Sequence, residues 1–237
     1  MGKGARLGVA LVLFGLAAVG IGFGISALLE SPATINFTAT GANPSVNVTL
    51  EVVGSYGLAP HPTWVSYLVQ DPQTKQFVHT TIFQVPANTR VNMTILQFDS
   101  GSPLRNQQIG QVTGTIGNQA TLNCSNPKQG GPQCGSTFKV INANDGNGVG
   151  HTFSIPTLGI SVPLYGNDGN ANLCAVAPCL PSSTAYPHNT VTFSFMSPKG
   201  SGSYAWQCFV PCALGWLFGN AGPMQTVGYM GGFLKIA

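Results

Sequence analysis

Charge is what this sequence has least of. Only 6% of its 237 residues are Asp, Glu, Lys or Arg, where globular chains usually carry about a quarter. The six acidic residues are dispersed, and no two of them suggest a general acid working with a base. The nine Lys and Arg are scattered singly, for a net charge of +3. No basic patch can neutralise a run of phosphates, which argues against nucleic acid as a partner. Disorder of the charged kind is excluded as well, because 43% of the residues are hydrophobic. The sequence has no Gly-x-Ser-x-Gly elbow, no His-Glu-x-x-His and no phosphate loop. The cysteine spacings lack the two-pair pattern of a structural zinc site. Past residue 33 no stretch keeps helical periodicity for three turns.

Alternation with period two takes the place of helical periodicity. Val46, Val48, Leu50 and Val52 alternate with Asn47, Thr49 and Glu51. Similar runs occur at Trp64 to Val69, Val91 to Leu96, His151 to Ile155, Val191 to Phe195 and Met230 to Ile236. Gly (31) and Pro (17) supply turns between them. Many short strands with such punctuation predict an all-β sandwich or barrel. Residues 34–237 are expected to form this one domain, with long loops at 99–137 and 162–188.

Ahead of it, Leu7 to Leu29 is a charge-free run of 23 residues. A helix of that length spans the ~30 Å core of a bilayer. Lys3 and Arg6 precede the run, which favours keeping its N-terminal end in the cytoplasm. Residues 1–33 are therefore expected to be a single-pass anchor at the cell membrane, with the β domain outside. A cleaved signal peptide is the competing reading, with Ser31-Pro32-Ala33 as a passable cleavage site. Two further features agree with export. The six cysteines form three close pairs. Cys124 with Cys134 and Cys174 with Cys179 are disulfide candidates. Asn36, Asn47, Asn92 and Asn123 head Asn-x-Ser/Thr sequons and are glycosylation candidates.

The third pair, Cys208 and Cys212, belongs to an ordered set of soft and borderline metal donors: His151, Cys208, Cys212, Met224 and Met230. The order resembles the cupredoxin family. Phe83 to Val91 is similar to the family's early strand and turn. Gly150 to Ile155 is similar to the segment carrying the first copper-binding His. Val191 to Phe195 and Gly202 to Cys208 are similar to the strands that lead to the Cys ligand. Tyr229 to Ile236 is similar to the axial Met and final strand. The resemblance implies a Greek-key β-sandwich, copper as cofactor and single-electron transfer. Thiolate and thioether suit Cu(I) and imidazole suits both oxidation states, so such a donor set tolerates a one-electron change.

One departure stands out. The family's second His lies shortly before the axial Met, and Gln225 and Thr226 occupy those positions here. Cys212 or Met224 is left to fill the vacancy. The Cys208-Phe209-Val210-Pro211-Cys212 spacing also resembles the copper domain of cytochrome oxidase subunit II, in which two Cys stand four positions apart. Trp216 takes the place of that domain's His. The resemblance implies an electron carrier, or a non-catalytic subunit, whose partners are the membrane and a redox protein or terminal-oxidase subunits. The alternative is a copper-free docking subunit of the same fold with Cys208 and Cys212 joined as a disulfide. His61 and His79 are expected to be exposed and inert.

Overall fold

The structure, a computed structural model, describes residues 12–21, 32–40, 43–125, 134–167, 173–174, 186–212 and 222–237. The chain divides into two units, Met1–Pro32 and Ala33–Ala237. In the first, residues 12–21 are helical with their side chains exposed. Ten residues rise about 15 Å, half of a bilayer core. Among the described residues no helix is long and apolar enough to cross a membrane. The expected spanning helix is thus not found there, and the rest of the Leu7 to Leu29 run lies outside the described residues.

The second unit is a sandwich of two β-sheets. Its strands are β1 (Thr34–Asn36), β2 (Ser45–Val53), β3 (Ser66–Gln70), β4 (Phe77–Val78), β5 (Ile82–Val85), β6 (Arg90–Gln97), β7 (Ala120–Cys124), β8 (Ser136–Phe138), β9 (Val149–Ile155), β10 (Ile160–Tyr165), β11 (Asn189–Met196), β12 (Gly202–Gln207) and β13 (Gly231–Ile236). One sheet has the order β1-β5-β13-β12-β9-β10, the other β4-β3-β2-β6-β11-β7-β8. The chain crosses repeatedly from one sheet to the other. The alternating segments all fall on strands. Three strands overlap the stretches expected to be loops: β7, most of β8 and most of β10. Their alternation is weak because polar residues such as Thr121 and Asn123 dominate β7, and β10 contains Pro163. That strand sits at the sheet edge, where a proline removes no needed ladder bond.

The alternation builds the core. Val46, Val48 and Leu50 of β2 register with Val91, Met93 and Ile95 of β6 in parallel. Phe195, Phe193 and Val191 of β11 continue the same rows on the far side of β6. All are buried. From the other sheet Phe83, Phe153, Trp206 and Leu234 pack against them. Burial of each such side chain is worth about 1.5–3 kcal/mol. Trp206 is the largest fully buried side chain. Its indole N–H donates to the Thr81 carbonyl at 3.1 Å, and its ring lies 5.0 Å from Phe153 and 5.1 Å from Tyr67.

A second apolar cluster covers the outer face of the β2-containing sheet. It holds Val53, Leu68, Phe77, Phe98, Leu173 and Cys174. Cys124 and Cys134 are joined by a disulfide, as expected. Cys174 is also disulfide-bonded, and Cys179 lies outside the described residues. Asn36, Asn47 and Asn123 are exposed, and Asn92 donates its amide to Asn47 at 3.0 Å.

Candidate metal centre

Strand pairing delivers the centre. β12 lies beside β9, with Gln207 opposite Ser154. Cys208 leaves the end of β12 while His151 and Thr152 are still within β9, so the cysteine emerges beside the histidine. The backbone holds it there. Cys208 N–H donates to the Met230 carbonyl at 2.9 Å, Thr152 N–H donates to Cys208 Sγ at 3.4 Å, and Phe209 N–H donates to Thr152 Oγ1 at 2.8 Å. A turn then brings Cys212 back. Its thiol donates to the Val210 carbonyl at 3.0 Å, and its N–H donates to the Met224 thioether sulfur at 3.3 Å.

The result is a buried cluster. His151 Nδ1 is 3.1 Å from Cys212 Sγ and 3.7 Å from Cys208 Sγ, and the two sulfurs are 3.4 Å apart. The donor atoms of His151, Cys208 and Cys212 all lie within 4.8 Å of one another. Both cysteines are free thiols, so the expectation of a Cys208–Cys212 disulfide is not met. A disulfide needs sulfurs about 2.05 Å apart. Here hydrogen bonds to Thr152, Val210 and His151 hold them further apart than that.

The other edge of the imidazole meets a residue that the sequence did not single out. His151 Nε2 donates to Asp99 Oδ2 at 2.9 Å. The Asp99 carboxylate is steadied by the Ser100 N–H, which donates to Oδ1 at 2.8 Å. Gly150 permits the approach. A Cβ there would lie 2.7 Å from Gln97 Nε2 and 2.8 Å from the Ser100 carbonyl oxygen, inside the segment that carries Asp99. Rarity was the available signal, since Asp99 is one of only six acidic residues.

The electrostatics follow from these contacts. Burial opposes the His151 imidazolium, but hydrogen bonds to Asp99 and Cys208 outweigh it and hold the group up to about 9. Burial also opposes a Cys208 thiolate. Hydrogen bonds from Cys212 and His151, the His151 charge and the Thr152 N–H outweigh it, and the thiol sits well below its ordinary range. The hydrogen bond to Cys208, then burial, push the Cys212 thiol well above that range. The contacts therefore favour proton loss at Cys208 over Cys212 and proton retention on His151. Soft sulfur donors and an imidazole in a compact buried cluster fit copper.

A cavity of about 370 Å³ reaches the cluster from solvent, lined in part by Asp99, Val149, His151, Val210 and Cys212. The Met224 sulfur touches the centre's border, where it accepts from the Cys212 backbone N–H. Met230 meets it through its backbone carbonyl, and its side chain is fully buried. Trp216 lies outside the described residues. His188 stays apart, its Nδ1 against the Tyr186 carbonyl and its ring 4.9 Å from Phe98. His61 and His79 are not exposed as expected. His61 stacks on Trp64 at 3.7 Å and His79 on Tyr56 at 3.8 Å, because flat rings next to prolines and strand ends gain more from stacking than from water.

No family model matches the sequence, and no curated protein does. Solved structures that resemble it include rusticyanins. The copper protein rusticyanin is 15% identical, with a TM-score of 0.30 over 90% of this chain and 92% of that one. Rusticyanin from Thiobacillus ferrooxidans is 13% identical, with a TM-score of 0.31 over 90% and 92%. Reduced rusticyanin is 14% identical, with a TM-score of 0.27 over 90% and 94%. The sandwich and its donor set stand on the topology and distances above.

Proposed function

We propose that this chain is a cupredoxin-like copper protein that carries single electrons. One observation bears the weight of this reading: an imidazole nitrogen and two thiol sulfurs, supplied by β9 and by the segment after β12, meet within 4.8 Å at one site of a rigid sandwich. Copper bound there would supply a one-electron couple between Cu(I) and Cu(II). His151, Cys208 and Cys212 would hold it, with the Met224 thioether as the neighbouring weak donor in place of the missing second His. The Met230 carbonyl supports the Cys208 backbone. The residues keep their positions through backbone hydrogen bonds that do not depend on the metal, so little rearrangement accompanies a change of oxidation state. No residue is assigned a catalytic role.

The proposal places the domain outside the cytoplasm, tethered by the charge-free Leu7 to Leu29 run. It would exchange electrons with a redox protein or with subunits of a terminal oxidase. The run, the oxidised cysteines at 124 and 134 and the sequons support that placement.

The test is copper stoichiometry and the visible spectrum of the full chain purified without chelator. The expected result is stoichiometric copper with a thiolate-to-copper charge-transfer band that disappears in Cys208→Ser. Recovery of zinc alone after copper loading, or of two free thiols with no metal bound, would refute it.

A further inference from the structure

We propose that Asp99 is the positioning residue of this centre: its carboxylate keeps a proton on His151 Nε2, turns Nδ1 toward the two sulfurs, and through its charge sets the preference between Cu(II) and Cu(I). The inference rests on the copper reading above.

The geometry is specific. The imidazole has two nitrogens on different edges of the ring. Nε2 is 2.9 Å from Asp99 Oδ2, and Nδ1 is 3.1 Å and 3.7 Å from the sulfurs. A nitrogen that donates to a carboxylate must carry a proton and cannot be a ligand. The Asp99 contact therefore assigns the ligand role to Nδ1. Rotating the ring by half a turn would set the wrong edge toward the sulfurs and break the hydrogen bond. A carboxylate behind a metal-binding His fixes its tautomer and raises its basicity, and loss of such a partner typically costs 10–100-fold in metal affinity.

Asp99 is itself built in. Its Oδ1 accepts from Ser100 N–H at 2.8 Å, and its carbonyl accepts from Asn167 N–H at 2.8 Å and from Gln97 Nε2 at 3.2 Å. It is one of few acidic groups in the chain, with its side chain 17% exposed. A negative charge beside the ligand favours the more positive metal ion. Asp99 thus lowers the midpoint potential relative to a centre with a neutral partner.

Two variants of the full chain separate orientation from charge. Asp99→Asn can still accept from Nε2 but is neutral. Asp99→Leu does neither. The Asn variant is expected to bind copper stoichiometrically with its melting temperature unchanged. A tenfold loss in Cu(II) relative to Cu(I) affinity would raise its midpoint by about 59 mV for a one-electron couple. The Leu variant is expected to lose a further ten- to hundredfold in affinity for both ions. A metal-free readout accompanies them. Nitrogen-resolved NMR of wild type should show a slowly exchanging His151 Nε2 proton that is retained in Asp99→Asn and lost in Asp99→Leu. An unchanged midpoint in Asp99→Asn overturns the charge role. A persisting Nε2 proton in Asp99→Leu overturns the orienting role. Failure of wild type to bind copper while that proton behaves as expected overturns the copper reading and leaves the His151 orientation by Asp99 standing.

Discussion

Glu51 gives the sharpest prediction about stability. It lies on β2, registered between Leu68 of β3 and Leu96 of β6. Its side chain is fully buried under the outer apolar cluster, and neither carboxylate oxygen has a hydrogen-bond partner among the described residues. Burial pushes its pKa from an ordinary 4.5 up to about 9. The folded protein therefore keeps a proton here that the unfolded chain gives up. Because the folded state binds more protons, stability falls as pH rises. The contribution is fully present below pH 4.5 and is lost progressively up to about pH 9. Each pH unit in that window costs about 1.4 kcal/mol. Between pH 4.5 and 6.5 the loss is about 3 kcal/mol, a large share of the ~5–15 kcal/mol that usually separates folded from unfolded states.

The perturbation is Glu51→Gln, which keeps shape and polarity and removes the titration. Urea unfolding across pH 4 to 6.5 is the assay. His151, also held up to about 9, loses its contribution from its ordinary 6.5 upward, and His79, lowered by burial to about 4, gains stability between 4 and 6.5 in both proteins, so the difference between wild type and variant below 6.5 isolates Glu51. Wild type and variant should be nearly equal at pH 4. At pH 6.5 the variant should be more stable by about 3 kcal/mol. Parallel stability curves would refute the reasoning, since they would mean that Glu51 is solvated or ionised inside the fold.

Other outcomes are expected from the same coordinates. Met224→Leu should shift the charge-transfer band and weaken Cu(I) binding, whereas Met230→Leu should leave the spectrum in place and cost less than about 1.5 kcal/mol in urea unfolding. Trp206→Ala should destabilise by about 3–5 kcal/mol in the same assay, because a fully buried indole and its bond to Thr81 are lost together. Replacing both Cys124 and Cys134 by Ser should cost about 2–3 kcal/mol, as the bridge spans a separation of 10 residues; an unchanged urea midpoint would count against the bridge.

Much of the fold was legible because the sandwich imposes period two on any strand with one wet face. β6, β11 and the first half of β2 have one buried row each, and their valines, leucines and phenylalanines mark it. β7 and β10 were hidden for a physical reason. β7 buries only Ala120 and Leu122, so Thr121 and Asn123 are tolerated, while β10 is buried on both faces, which erases its alternation. The pairing of His151 with Cys208 was foreseen through the family likeness. Position in sequence alone says nothing about two residues 57 apart. Asp99 was not foreseen, because it sits in a stretch of Ser, Gly and Pro that reads as loop and its partner is 52 positions away. Met224 and Met230 were both legible as thioether candidates. Which thioether reaches Cys212 depends on the turn at Pro223–Gln225, where Met230 N–H donates to the Pro223 carbonyl and Met224 is aimed at the cysteine.

The scarcity of charge and the placement of the remaining acids bear on each other. A chain with few ionised groups tolerates acid because it has few carboxylate pairs to lose. Glu51 is stabilising only while protonated, and Asp99 is useful to the centre while it accepts from His151. The two carboxyls therefore set opposite demands: the core favours low pH, and the hydrogen bond behind His151 needs a carboxylate. Glu51→Gln and Asp99→Asn should therefore move different quantities: the first the pH dependence of the urea midpoint, the second the midpoint potential of the centre. A midpoint potential unchanged in Asp99→Asn would show that Asp99 carries no control over the centre.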